Sequence, residues 1–304
     1  MRKYSELMVI FAFAAIVAGG CGGGGSAPAT STTTVTASGG SATVTAAQNA
    51  SANTLVNDFS NTGWKIYLPA GTLAADTTFS FADLSPGIGG VPAVPADRIL
   101  GVSLEISATP AIPSGKTLTL INDASEDTDI ATGNTVDLMK VVSGAWTDVG
   151  AATKYSDGTL RADVTGFSQI SLGVRDAAGT YDETFTITSS TNSGYCGTVG
   201  SIDVSNSIIT QDGVVMAFNP NDAYCNTTGK MQANGAFTGS ISCTQVSEGC
   251  TRNTTGTFNG RLDISVSPKE YFATVSETYS FSGSCGAAPA SCTMGGTAEG
   301  ILSQ

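Results

Sequence analysis

Seven cysteines carry the most definite chemistry in this sequence. Six of them, Cys196, Cys225, Cys243, Cys250, Cys285 and Cys292, gather toward the C-terminus, and the seventh, Cys21, stands alone. An even set in an exported chain reads as disulfides. A repeat narrows the pairing: "FTGSISCTQVSEGCT" (Phe237 to Thr251) and "FSGSCGAAPASCT" (Phe281 to Thr293) each place Cys-x6-Cys after a Phe-x-Gly strand. A short loop between antiparallel strands brings such cysteines within bridging distance. The spacing therefore predicts Cys243 with Cys250 and Cys285 with Cys292, leaving Cys196 with Cys225. Zinc is not expected, since there is neither Cys-x2-Cys nor any histidine.

The missing histidine also removes Ser-His-Asp and Cys-His nucleophiles and c-type haem attachment. Carboxylates are the remaining candidates. Asp123, Glu126, Asp127, Asp129 and Asp137 crowd the stretch from Asn122 to Asp137, where hard oxygen ligands could hold calcium. Their spacing departs from D-x-[DN]-x-[DN]-G, so a solvated loop is the expectation. Two acids converging from Asp123, Glu126 or Glu277 would be needed for glycoside hydrolysis, and no signature marks them. Trp64 and Trp146 read as core or corner residues before sugar platforms. No cofactor is expected.

The elements that would position these residues begin with a leader. Arg2 and Lys3 precede an apolar run from Leu7 to Val17 and the small residues Ala18, Gly19 and Gly20. The run is too short to span about 30 Å of hydrocarbon as a helix, so residues 1–20 read as a secretory signal. Small residues before Cys21 resemble the lipobox of bacterial lipoproteins, with Ala18 where leucine is commoner. The resemblance implies that Cys21 becomes the lipidated first residue of the mature chain, and Gly22 in place of aspartate favours the outer membrane. Several acyl chains, at about 0.8 kcal/mol per buried methylene, hold more firmly than one. From Gly22 to about Gly40 the chain is Gly, Ser, Thr, Ala and one Pro, uncharged and almost without large apolar residues, and reads as a flexible spacer, the linker being taken as 21–42.

Composition limits the rest. The net charge of −12 with no basic cluster makes nucleic acid an improbable partner. Strand-forming residues with few helical blocks argue for an all-β chain of two domains. In residues 43–175 apolar positions alternate (Trp64, Ile66, Leu68; Val102, Leu104, Ile106; Leu160, Ala162, Val164), the mark of half-buried strands. The segments "WKIYLPAGTLAADTTFSF", "GVSLEIS", "IPSGKTLTL", "GAWTDVG" and "DGTLRADVTGFSQISL" resemble the successive strands of a ZU5-type β-sandwich over about residues 60–174. Some ZU5 domains cut themselves at His-Phe-Ser. Gly166, Phe167 and Ser168 occupy those positions here, so the serine lacks a base, and the expectation is Phe167 in the core with Ser168 facing solvent.

Residues 178–304 read as a Cys-rich antiparallel meander. Phe-x-Gly recurs at Phe237, Phe258 and Phe281, an interval that fits one hairpin. Counting gives about seven or eight strands, enough for a small barrel that resembles lipocalin-like barrels in strand pattern alone. A barrel filled by its own side chains, or a sandwich, is the simpler expectation; one holding a small ligand is the alternative. Ser and Thr on both faces argue against an outer-membrane barrel. The function expected is a lipid-anchored, non-catalytic binding or structural module of the cell envelope, partnered by the membrane and by envelope proteins or glycans. A small-ligand carrier and a carboxylate hydrolase are the alternatives.

Overall fold

The computed structural model describes residues 31–84 and 91–303. Cys21, the leader and the first part of the spacer lie outside the described residues. Strand accounts for 61% and helix for 5%, so the fold is all-β, as composition implied.

The N-terminal domain is one sheet of eleven strands. These are β1 (Thr32–Thr36), β2 (Ser41–Val44), β3 (Asn53–Asp58), β4 (Trp64–Leu68), β5 (Thr77–Leu84), β6 (Arg98–Thr109), β7 (Leu118–Asp123), β8 (Thr135–Val142), β9 (Ala145–Lys154), β10 (Thr159–Val164) and β11 (Gln169–Arg175). Their spatial order is β1-β3-β4-β7-β10-β9-β8-β11-β6-β5-β2. The edge strands β1 and β2 are consecutive in the chain, and the turn between them is bridged from Ser38 to Ser41, so the sheet rolls almost to closure. The two faces of the expected sandwich are thus halves of one curled sheet. Register shifts between Ser171 and Gly173 and between Leu138 and Met139 supply bulges of the kind that bend strands. Inside lie the predicted stripes: Trp64, Ile66, Leu68, Leu104, Ile106, Leu118, Leu120 and Leu160 are all buried.

One boundary is corrected. Thr32–Thr36 had been counted with the linker, yet it pairs in parallel with β3, Thr32 opposite Asn53 through Thr36 opposite Asn57. A run of four threonines and a valine has β-branched side chains suited to a strand once a neighbour offers its edge.

The C-terminal domain is a closed barrel of eight sequential strands: β12 (Gly179–Ser190), β13 (Ile202–Asp212), β14 (Val215–Phe218), β15 (Cys225–Met231), β16 (Ala236–Ser247), β17 (Cys250–Asp263), β18 (Glu270–Gly283) and β19 (Ser291–Leu302). β19 closes it by pairing with β12, Tyr181 opposite Leu302. Its floor rests on the first domain. Tyr181, Ile209, Met216, Met231, Leu262 and Tyr271 belong to the same buried cluster as Ile130, Val136, Val174 and Ala177. Polar contacts flank that junction: Arg175 Nη1 donates to the Leu262 carbonyl at 2.9 Å, and Asn234 N donates to Asp137 Oδ1 at 2.8 Å. Burial raises the carboxyl pKa of Asp137, although Arg98 lies 3.6 Å away.

The six cysteines among the described residues are all paired, but not as spacing predicted. The bonds are Cys196 with Cys292, Cys225 with Cys243, and Cys250 with Cys285. Strand register explains the correction. The β16–β17 hairpin turns tightly, so Cys250 lies opposite Ser247 while Cys243 lies opposite Thr254. Four residues of strand, about 13 Å, therefore separate them, well beyond bridging range. Cys243 instead faces Cys225 directly across β15 and β16. Cys250 lies opposite Gly283, which puts Cys285 beside it. Cys292 is carried on β19 next to β12, whose following loop holds Cys196.

Candidate functional site

The barrel is hollow. The cavity inside it measures about 520 Å³, within the roughly 300–1,000 Å³ usual for small-molecule pockets. The expectation of a barrel filled by its own side chains is therefore corrected.

The Phe-x-Gly repeat explains how large rings and an open lumen coexist. In β16 and β17 the two copies meet head to tail: Phe237 lies opposite Gly260, and Gly239 lies opposite Phe258. Each ring lies across the glycine facing it. A Cβ built on Gly260 would come within 2.4 Å of Phe237 Cζ, and one on Gly239 within 2.1 Å of Phe258 Cζ. Phe185 lies across Gly296, and Tyr271 across Gly300, in the same way. Rings set across bare backbone cover the wall and leave the centre free. Phe218 joins them, with ring centroids 5.1 Å from Phe258, 6.3 Å from Phe237 and 6.5 Å from Tyr271. The third copy differs: Gly283, with φ +84°, sits where a Cβ would strike the Gly249 carbonyl, so it serves the disulfide-linked end of the barrel.

Polar groups stand at defined heights in this aromatic lumen. Near the floor, Tyr271 crosses Gly300 to donate its hydroxyl to Glu183 Oε2, and Ser207 is also hydrogen-bonded to it. Higher up, the Tyr279 hydroxyl donates to Glu277 Oε2. Burial is the first cause, and the adjacent carboxylate the second, of hydroxyl pKa values far above the ordinary phenol range at both tyrosines. Both therefore stay protonated donors. Toward the disulfide end Arg252 lies over the Tyr279 ring, 5.5 Å from its centroid, and donates to Gln245 Oε1 at 2.5 Å. Below the floor, burial pushes the Tyr181 hydroxyl to about 12 while it donates to the Ala177 carbonyl at 2.9 Å.

The wall has one seam. β13 pairs with β12 from Ile202 to Ile209, but with β14 only from Ile209 to Asp212. Above that point, among the described residues, hydrogen bonds join the two sides at Asn219, its Oδ1 accepting from Ile208 N at 2.8 Å and its N donating to Ile208 O at 2.7 Å. Ile202, Asp203 and Ser205 on one side, and Asn219 and Asp222 on the other, line the cavity along this gap.

The sites expected from sequence are distributed differently. Glu277 faces the barrel lumen, whereas Asp123 and Glu126 both border a second cavity of about 500 Å³ where the first domain meets residues 212–214, so Glu277 does not converge with either of them. Among the described residues no group of three or more acids, cysteines or histidines is arranged to hold a metal. Asp123 Oδ1 accepts from Ser125 N at 3.1 Å and Asp127 Oδ1 from Asp129 N at 3.0 Å, which are local turns. The cation inside this loop belongs to the chain: the buried Lys154 ammonium donates to the Ala124 carbonyl and, at 3.2 Å, to the Asp127 carbonyl. The Asp129 carbonyl accepts from Lys230 Nζ at 2.7 Å, and Asp137 serves the domain junction. Phe167 packs edge-on against Phe79 at 5.9 Å. Ser168 is half-buried, not solvent-facing, and donates to the Val141 carbonyl at 3.0 Å. Trp64 is core, and Trp146 is a buried corner whose Nε1 donates to the Pro92 carbonyl at 3.1 Å.

Glu183, Tyr271 and Arg252 were missed in the sequence. A signal for Glu183 existed: in "TYDETFTI" it takes an inward position of the alternation Tyr181, Glu183, Phe185, Ile187, where a charge is out of place.

No protein-family model, no curated protein and no solved structure matches this chain.

Proposed function

We propose that the chain is a lipid-anchored protein of the cell envelope, attached through Cys21, whose C-terminal barrel binds and carries a small molecule. The cavity of about 520 Å³ carries this reading, because aromatic walls with a few placed polar groups are what small-molecule sites are made of. The disulfide-stapled wall suits an oxidising compartment. The leader and the residues before Cys21 support the anchor, and the curled sheet resembling ZU5 domains stands between tether and barrel.

Uptake of the uncharged fluorophore N-phenyl-1-naphthylamine tests the carrier reading. One equivalent is expected to enter the full chain with a rise in emission. Val275→Trp, which fills the lumen from a half-buried lining position, is expected to weaken uptake by more than about tenfold while circular dichroism stays unchanged. No uptake, or uptake indifferent to Val275→Trp, overturns it. The anchor has its own test. Cys21→Ser should move the protein out of the membrane fraction or leave its leader uncleaved, and unchanged membrane partitioning defeats the lipid attachment.

A further inference from the structure

We infer that the barrel's ligand is an organic cation, an ammonium group on an apolar and preferably aromatic body, seated with its charge against Glu183. The inference rests on the carrier reading above and adds the chemical class of the cargo.

Charge inside the cavity is one-sided. Among the described residues Glu183, Asp203, Asp222 and Glu277 line it, against Arg252 as the one base. Asp222 is engaged by its own loop, its Oδ1 accepting from Tyr224 N at 2.8 Å and Cys225 N at 3.2 Å. The two glutamates are different. Among the described residues no lysine or arginine nitrogen lies within ion-pair distance of either. Tyr271 supplies a single donor to a Glu183 carboxylate that accepts about four hydrogen bonds. A half-buried carboxylate without a counter-ion favours a cation that brings its own donors.

The surroundings of Glu183 fit the rest of such a ligand. Tyr271, Phe218, Phe237 and Phe258 form a connected ring cluster and, like Glu183, line the cavity. Ring faces attract an ammonium within about 6 Å and also bury an apolar body. An anionic ligand would meet the opposite field. Its available partner, Arg252, stands opposite Phe281 near the disulfide-linked end and is already held by Gln245. Glu183 by contrast stands opposite Gly300, beside Tyr271 at the floor.

Three probes of one shape and different charge decide the matter: 4-phenylbutylamine, 4-phenylbutanol and 4-phenylbutyrate, titrated calorimetrically into the full chain. The amine is expected to bind at least about tenfold more tightly than the alcohol, and the acid more weakly than both. In Glu183→Gln, where the amide oxygen still accepts from Tyr271, the preference for amine over alcohol should fall below about threefold while alcohol binding is unchanged. Equal binding of amine and alcohol, tighter binding of the acid, or an amine preference that survives Glu183→Gln overturns the inference and leaves the carrier reading standing. If none of the three binds and N-phenyl-1-naphthylamine is also excluded, the carrier reading falls, and this inference with it.

Discussion

Gly239→Ala is expected to cost the protein about 2–3 kcal/mol, a large effect for adding one methyl group. The added Cβ would stand 2.1 Å from Phe258 Cζ and 2.3 Å from the Thr228 carbonyl oxygen. Neither neighbour can yield freely, because one is a packed ring and the other is backbone in the β15–β16 ladder. The ring must swing toward the lumen or the strands must part. Urea denaturation of Gly239→Ala beside Thr238→Ala, an exposed neighbour on the same strand, measures the difference. Phe258→Leu combined with Gly239→Ala should cost less than the two changes added separately, since the shorter side chain removes the collision. A Gly239→Ala protein as stable as Thr238→Ala would show that the ring does not lie across that glycine. Swinging Phe258 inward would also shrink the cavity, so fluorophore uptake should drop together with stability.

The second large effect concerns the disulfides. Cys196 and Cys292 are 96 residues apart and Cys225 and Cys243 only 18, so the first bond restricts the unfolded chain far more. Loop-closure entropy puts the first near 4–5 kcal/mol and the second near about 3 kcal/mol. Replacing both members of the long-range pair by serine should therefore lower the denaturation midpoint more than replacing the short-range pair. Peptide mapping without reduction checks the connectivity itself. A peptide joining Cys243 to Cys250 would overturn the β16–β17 register, because four intervening ladder positions keep them apart.

These two expectations mark where the sequence was and was not informative. Alternation identified the strands, and the Phe-x-Gly interval correctly announced hairpins of about ten-residue strands that could close a barrel. The same repeat misled on the disulfides, because spacing along the chain says nothing of register. Cys225 and Cys243 pair because the β15–β16 ladder sets them opposite, and that ladder depends on the whole barrel closing. The curled first sheet was hidden for a similar reason: whether Thr32–Thr36 is spacer or strand depends on β3 offering an edge. The hollow lumen was the least legible feature. Modest apolar residues and frequent glycine favoured a filled barrel or a sandwich, whereas the glycines hold rings against the wall, and only the cross-strand partner of each one reveals it. The acidic loop was expected to be solvated, and that Lys154, far along the chain, occupies its centre could not be anticipated from spacing.

The seam beside β13 bears on time as well as shape. Residues 202–207 have a ladder neighbour on one side only, and β14, with four residues, is the shortest strand of the barrel. Parting the wall there disturbs the Asn219 contacts and little else, whereas parting β17 from β18 would break a fourteen-residue register. Opening free energies follow the number of bonds released. On the carrier reading proposed above, a cargo would come and go through local breathing at this seam while the three disulfides and the long ladders from β16 to β19 keep the rest of the barrel shut, so its residence time would follow the hydrogen bonds at Asn219 and not the stability of the fold.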